Sequence, residues 1–170
     1  MRIKIGIQVL FAVLLLGVGG CYTLNGISVD PDIETFSVFT FDNLAPNAPP
    51  TLAVDFTEQL KDKVRSETRL KLVNEAPHIE LGGKMIDYRV VPVAPRPGEE
   101  TVALNRLEMS VSVFLKNNIK PDKSWPSERR FSHFAEFSST TDLYDVQNEL
   151  IQQISTQLLD DIFNAAFNDW

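Results

Sequence analysis

The sequence predicts an α/β (α+β) fold, a two-layer sandwich in which two amphipathic helices cover one face of a mixed or antiparallel sheet of about four strands. Two stretches carry an apolar stripe at helical spacing, and between them lies one segment of near-strict alternation. Leu107, Met109, Val111, Val113 and Leu115 alternate with Glu108, Ser110, Ser112 and Lys116, with Phe114 as the exception. A period of two buries the first set and leaves the second largely wet. Consecutive strands joined by short loops pair antiparallel, and two helices with one apolar face each can cover one side of such a sheet.

The elements follow in order. Ile33 to Phe41 is rich in β-branched and aromatic residues (Thr35, Phe36, Val38, Phe39, Phe41), which predicts a strand buried on both faces for part of its length. Asn43 to Pro50, with three prolines and two asparagines, reads as a loop. A first helix begins near Thr51, which suits a cap. Its buried stripe is Leu52, Phe56, Leu60 and Val64, while Asp55, Glu58, Lys61, Asp62 and Arg65 take the other faces. Arg69 to Val73 is a short strand. His78 to Val91 is a longer one whose apolar set changes phase, from Ile79 and Leu81 to Ile86, Tyr88 and Val90. Gly82-Gly83 at that change predicts a bulge. Pro92, Pro95, Pro97 and Gly98 mark a loop before the alternating strand, and a polar turn from Asn117 to Ser127 leads to the last strand, Arg129 to Phe137. Asp142 can then cap a long helix with Asp145 in its first turn. That helix buries Leu143, Val146, Leu150, Ile154, Leu158, Ile162 and Ala166, and Ile151, Leu159 and Phe163 widen the stripe.

The N-terminal end has a different grammar. Arg2 and Lys4 precede an apolar run from Ile5 to Val18, interrupted by Gln8, which closes Val18-Gly19-Gly20-Cys21. A charged start, a short apolar middle and small residues at the end make a secretory signal over residues 1–20. The run is short of the roughly 20 apolar residues that span a bilayer. Cys21, the only cysteine of the chain, stands where a bacterial lipoprotein is cleaved and acylated. The expected organisation is a signal peptide over 1–20, a lipidated tether over 21–32 with Gly26 and Pro31, and one domain over 33–170.

Composition narrows the function. Against 16 Lys and Arg stand 23 Asp and Glu, a net charge of −7, which excludes general nucleic-acid binding. Only two histidines exist, His78 and His133, in separate strands. Glycine-rich phosphate loops, nucleophile elbows and zinc motifs are missing from the sequence, so it implies no catalytic residue, metal or cofactor. The carboxylate pairs Glu99-Glu100 and Asp160-Asp161 read as solvated charge. In so acidic a chain, Lys116, Lys120, Lys123, Arg129 and Arg130 around one hairpin make a local field of opposite sign, with Trp125 as an amphipathic ring among them. The plainer alternative is a solvated hairpin whose edge carries charge to discourage pairing.

Several segments together carry a resemblance: the Cys21 ending; Phe56 to Lys63 followed by Thr68 to Val73; Gly83 to Tyr88 leading to Pro92-Val93-Ala94; Ala103 to Leu107; Phe131-Ser132; and the close Asp161 to Asn164 and Trp170. In this order they resemble the LPS-assembly lipoproteins of the LptE family, where LPS is lipopolysaccharide. The resemblance implies a two-helix, four-stranded domain that plugs the outer-membrane β-barrel LptD, assists its assembly and delivers LPS to the outer leaflet. It implies LPS and an LptD-like barrel as partners at the outer membrane. The Cys21 ending adds membrane attachment, and Tyr22 in place of Asp after it, with no acidic cluster following directly, suits outer-membrane sorting to the periplasm-facing leaflet. Two other classes remain: a lipoprotein that shuttles one amphiphile in a cavity, and a hydrolase, which needs paired titratable groups in a cleft.

Overall fold

A computed structural model describes residues 29–94 and 103–168. The signal segment, Cys21, most of the tether, Pro95 to Gly98, Glu99-Glu100 and Trp170 lie outside the described residues. The elements run β1 (Thr35–Val38), β2 (Asp42–Asn43), α1 (Leu52–Glu67), β3 (Lys71–Leu72), β4 (Ile79–Val93), β5 (Leu104–Asn117), a 3-10 turn (Pro121–Lys123), β6 (Arg129–Ser138) and α2 (Leu143–Phe167).

Both helices lie over one face of a single mixed sheet. The sheet has six strands rather than about four: β3-β1-β4-β5-β6 in order, with β2 also paired to β4. The β4-β5-β6 meander is antiparallel, while β1 runs parallel to both β3 and β4. The expected short strand over Arg69 to Val73 is present as β3, regular at Lys71–Leu72, and the unforeseen piece is β2, two residues at the start of the expected loop and too short to show a periodicity. The strand expected over Ile33 to Phe41 is regular only from Thr35 to Val38. Beyond it, Phe39 N–H still donates to the Leu81 carbonyl at 2.8 Å, and the chain rejoins β4 at Asp42.

The alternating strand behaves as its period requires. Leu107, Met109, Val111 and Val113 are fully buried under the helices, with Leu115 nearly so. α1 buries Leu52, Ala53, Phe56, Leu60 and Val64 against this face, and α2 adds Leu150, Ile154, Leu158, Leu159, Ile162, Phe163, Ala166 and Phe167 to the same core. Thr57, also buried, accepts the Phe41 N–H at 3.0 Å and donates to the Ala53 carbonyl at 2.6 Å. It thereby ties α1 to the segment between β1 and β2. Ser110, expected on the wet face, does stand there but is buried. Its hydroxyl lies 2.8 Å from that of Ser132 and accepts from Arg130 at 3.2 Å, so neighbouring side chains cover it.

The phase change in β4 is present, but its cause differs from the expected Gly82-Gly83 bulge. The register slips between Met85 and Asp87, which makes Ile86 the extra residue. The glycines answer to close approach instead. A Cβ on Gly83 would lie 2.1 Å from the Ser112 carbonyl oxygen and 2.8 Å from the Phe41 ring. One on Gly82 would press the Phe114 ring at 2.7 Å.

The helix starts also differ from each other. Asp142 accepts the Tyr144 N–H at 2.9 Å, as a cap should. Thr51 stands at the start of α1 but makes no side-chain cap bond. Lys63 bridges the helices, reaching Asp160 at 2.6 Å as well as Glu67 at 2.5 Å. Burial disfavours its charge, yet these hydrogen bonds hold it above the usual lysine range.

Candidate binding surface

The hairpin from β5 to β6 is built around Asn117, the buried last residue of β5. Its side-chain oxygen accepts the N–H groups of Ile119 and Lys120 at 3.0 and 2.7 Å, and its own N–H donates to Ser124 Oγ at 2.8 Å. The turn is thus fixed from inside, and the five cations project from a rigid frame.

They do not form one patch. Register places Val113 opposite Arg129 and Ser112 opposite Arg130, so the adjacent arginines stand on opposite faces of the sheet. Arg130 is on the uncovered face, 3.8 Å from Asp87. Lys116 is there too, 3.5 Å from Glu80. Arg129 is on the helix side, its guanidinium 4.5 Å above the Trp125 ring, a cation–π arrangement. With Asp122, Lys123, Ser124, Trp125 and Ala165 it lines a cleft of about 300 Å³ beside the end of α2. Lys120 turns to the N-terminal segment, bonded to Asp30 and 3.8 Å from Asp32. Its hydrogen bond holds the Asp30 carboxyl below the usual aspartate range and raises Lys120 in return.

The uncovered face has a second polar system that composition alone did not single out. Arg89 bonds Asp87 and, at 2.7 Å, Glu108. Arg106 pairs with Glu136 at 2.6 Å and stacks 3.8 Å over Phe134. Lys84 reaches Glu128 at 3.1 Å, and Ser112 donates to the same carboxylate at 2.6 Å. The Ser112 bond, with Lys84 beside it, holds Glu128 below the usual glutamate range. The signal available in the sequence was the alternation itself, which assigns Arg106, Glu108 and Glu136 to this face.

The histidines are placed by structure. His78 Nδ1 accepts the Glu34 N–H at 3.1 Å, and His133 lies 2.7 Å from Asp161. Asp160 and Asp161 therefore answer to Lys63 and His133 respectively, rather than to each other. Among the described residues no group of three His, Cys, Asp or Glu could hold a metal, and no helix is long and apolar enough to cross a membrane.

A family model described as LptE, lipopolysaccharide-assembly, matches residues 33–166, which takes in every strand and almost all of α2. The chain belongs to the LptE family. This LptE-family chain is thus a member of a lipopolysaccharide-assembly family, one of assembly proteins rather than enzymes. No curated protein matches its sequence. Its fold is similar to that of a putative neuraminyllactose-binding hemagglutinin homolog from Helicobacter pylori, at TM-score 0.52 and 10% identity over 83% of this chain and 87% of that one. It is also similar to a minor lipoprotein from Acinetobacter baumannii, at TM-score 0.50 and 12% identity over 79% and 94%. The rare lipoprotein B of Shewanella oneidensis aligns at TM-score 0.47 and 11% identity over 78% and 90%. At such identities the likeness is one of fold.

Proposed function

We propose that this LptE-family protein is an outer-membrane lipoprotein, anchored through acylated Cys21, that binds an LptD-like barrel and assists its assembly and the insertion of LPS into the outer leaflet. It acts by binding, without turnover. The family match over residues 33–166 carries this reading. The architecture supports it: among the described residues both helix stripes pack into one core, which leaves the outer surfaces of the domain for contact.

In this reading the split cations have separate tasks. Arg129 and Lys123, at the Trp125 cleft, suit one LPS phosphate, because guanidinium groups contact phosphate oxygens in pairs. Lys116 and Arg130 face the other side, among carboxylates, and Lys120 holds the N-terminal segment. The test is affinity purification of the full chain from solubilised outer membranes. The barrel is expected to co-elute with wild type and with Arg129→Glu, while LPS retention by Arg129→Glu falls and depends on salt. Absence of a barrel from the wild-type eluate rejects the proposed partner. Unchanged LPS retention returns Arg129 to a structural role on Trp125.

A further inference from the structure

The two helices run in the same direction. Leu52 to Gln59 of α1 lie beside Asn148 to Ser155 of α2, and further on Lys63 meets Asp160, so both chains advance together. Their N-terminal halves part around an open cleft of about 290 Å³. That is small for a ligand pocket and suits a single side chain. Leu52, Phe56 and Ile151 give it apolar walls, and Asp55, Gln59, Asn148 and Gln152 stand around them. Among the described residues none of these four polar side chains has a hydrogen-bond or ion-pair partner. Ser155 lines the cleft as well. It is 1% exposed, and its hydroxyl is without a partner among the described residues. A hydroxyl taken out of water in this way is left short of the bonds it had there. On the uncovered face of the sheet, by contrast, Arg106, Glu108, Ser110 and Ser112 are all engaged.

Charge narrows the occupant. No lysine or arginine lines the cleft, and α2 carries none over its 25 residues. Asp145 stands one helical turn before Asn148, on the same face, and Asp142 caps the helix. Against the carboxylates of Asp55, Asp142 and Asp145, the two helix N-termini set about half a positive charge each, which leaves roughly two negative charges at this end. Phosphates and other anions are repelled there. We infer that the cleft seats an arginine side chain of a partner polypeptide. Its aliphatic stem lies along Leu52 and Ile151. Its guanidinium, which only donates, presents a planar fork to the carboxylate of Asp55 and the side-chain oxygens of Gln59, Asn148 and Gln152, and brings a donor to Ser155. This goes beyond LPS retention and barrel binding and rests on neither.

The test is titration of the full chain with the peptide acetyl-Gly-Arg-Gly-amide, followed by NMR of the side-chain amides of Gln59, Asn148 and Gln152. Saturable shifts of these amides are expected, with none from acetyl-Gly-Ala-Gly-amide. Asp55→Asn should weaken binding about fivefold, the worth of one partly exposed ion pair. Asn148→Asp, which adds a carboxylate to the cleft, should strengthen it by a similar factor. Ser155→Ala should weaken binding without lowering the melting temperature, because its hydroxyl has no partner to lose in the free protein. Glu75→Gln, an exposed acid in the turn before β4, should leave binding unchanged, which separates a seat from the general attraction of an acidic chain. Thermal melts verify that each variant is folded. An absent or unsaturable shift overturns the inference, as does an equal response to the alanine peptide or an equal loss in Glu75→Gln and Asp55→Asn. Tighter binding of spermidine than of the arginine peptide overturns the polypeptide as its source. Loss of the barrel from the affinity eluate leaves this outcome unchanged, so the two readings fail separately.

Discussion

The two faces of the sheet use the same strands to opposite ends. Under the helices, β5 presents Leu107, Met109, Val111 and Val113 with no accessible surface. On the other side the same strand presents Arg106, Glu108, Ser110 and Ser112, each engaged with a neighbouring polar group. The covered face holds the fold through apolar area removed from water, at roughly 25 cal/mol per Å². The uncovered face is a lattice of exposed ion pairs, and such pairs contribute about 0–1 kcal/mol each. The lesson is a division of labour: one face can change little without unfolding, while the other is free to be shaped for recognition.

The sharpest break of that comparison is Val111→Asp, which buries an unpaired carboxylate under both helices. It should cost several kcal/mol and abolish a cooperative thermal transition. Next comes Gly83→Ala, where the added methyl meets the Ser112 carbonyl at 2.1 Å. Backbone cannot yield as a ring can, so a loss of about 1–3 kcal/mol is expected, read as a shift in the denaturation midpoint. Gly82→Ala, which meets the Phe114 ring, should lose less.

On the uncovered face, Ser110→Asp sharpens the contrast. Placed beside Arg130 but near Asp87, it should cost about 1 kcal/mol, far less than Val111→Asp in the same melt. Equal melting points for these two variants would remove the distinction between the faces.

The smallest effect is acid-side. Asp30 and Glu128 are held below their ordinary values of 3.8 and 4.5, so their contributions are present above those values and fade as pH falls through the lowered folded values. Asp30→Asn and Glu128→Gln should flatten the fall of melting temperature with pH below about 4.5 and leave the slope near neutrality unchanged.

The local patterns were legible in the sequence because they are local. The β5 alternation, the two helix stripes and the Asp142 cap each depend on residues a few positions apart. The parallel insertion of β1 between β3 and β4 was not legible. It joins Phe36 to Leu72 and Ile79 across a helix, through strands of two to four residues. The bulge left its trace in the phase change, but the two glycines drew attention away from Ile86. Proximity in sequence misled at the candidate site. Arg129 and Arg130 are consecutive in a strand, and consecutive strand residues face apart, so one cluster of five becomes three separate settings.

The N-terminal end has a mechanical consequence. Arg69 donates to the carbonyls of Val29 and Asp30 at 3.0 and 2.7 Å, and Lys120 holds the Asp30 carboxylate. These contacts clasp the chain at the β5–β6 turn end of the domain. From Val29 back to Cys21 the chain is eight residues, a reach of at most about 28 Å. In the anchored form proposed above, the clasp is where tension from the membrane enters the fold. In that form the leash keeps the clasp within about 28 Å of the leaflet, and the domain extends from there along β5, roughly 48 Å at 3.4 Å per residue. Its far end, at Leu104 and Ser138, can stand as much as roughly 48 Å beyond the clasp.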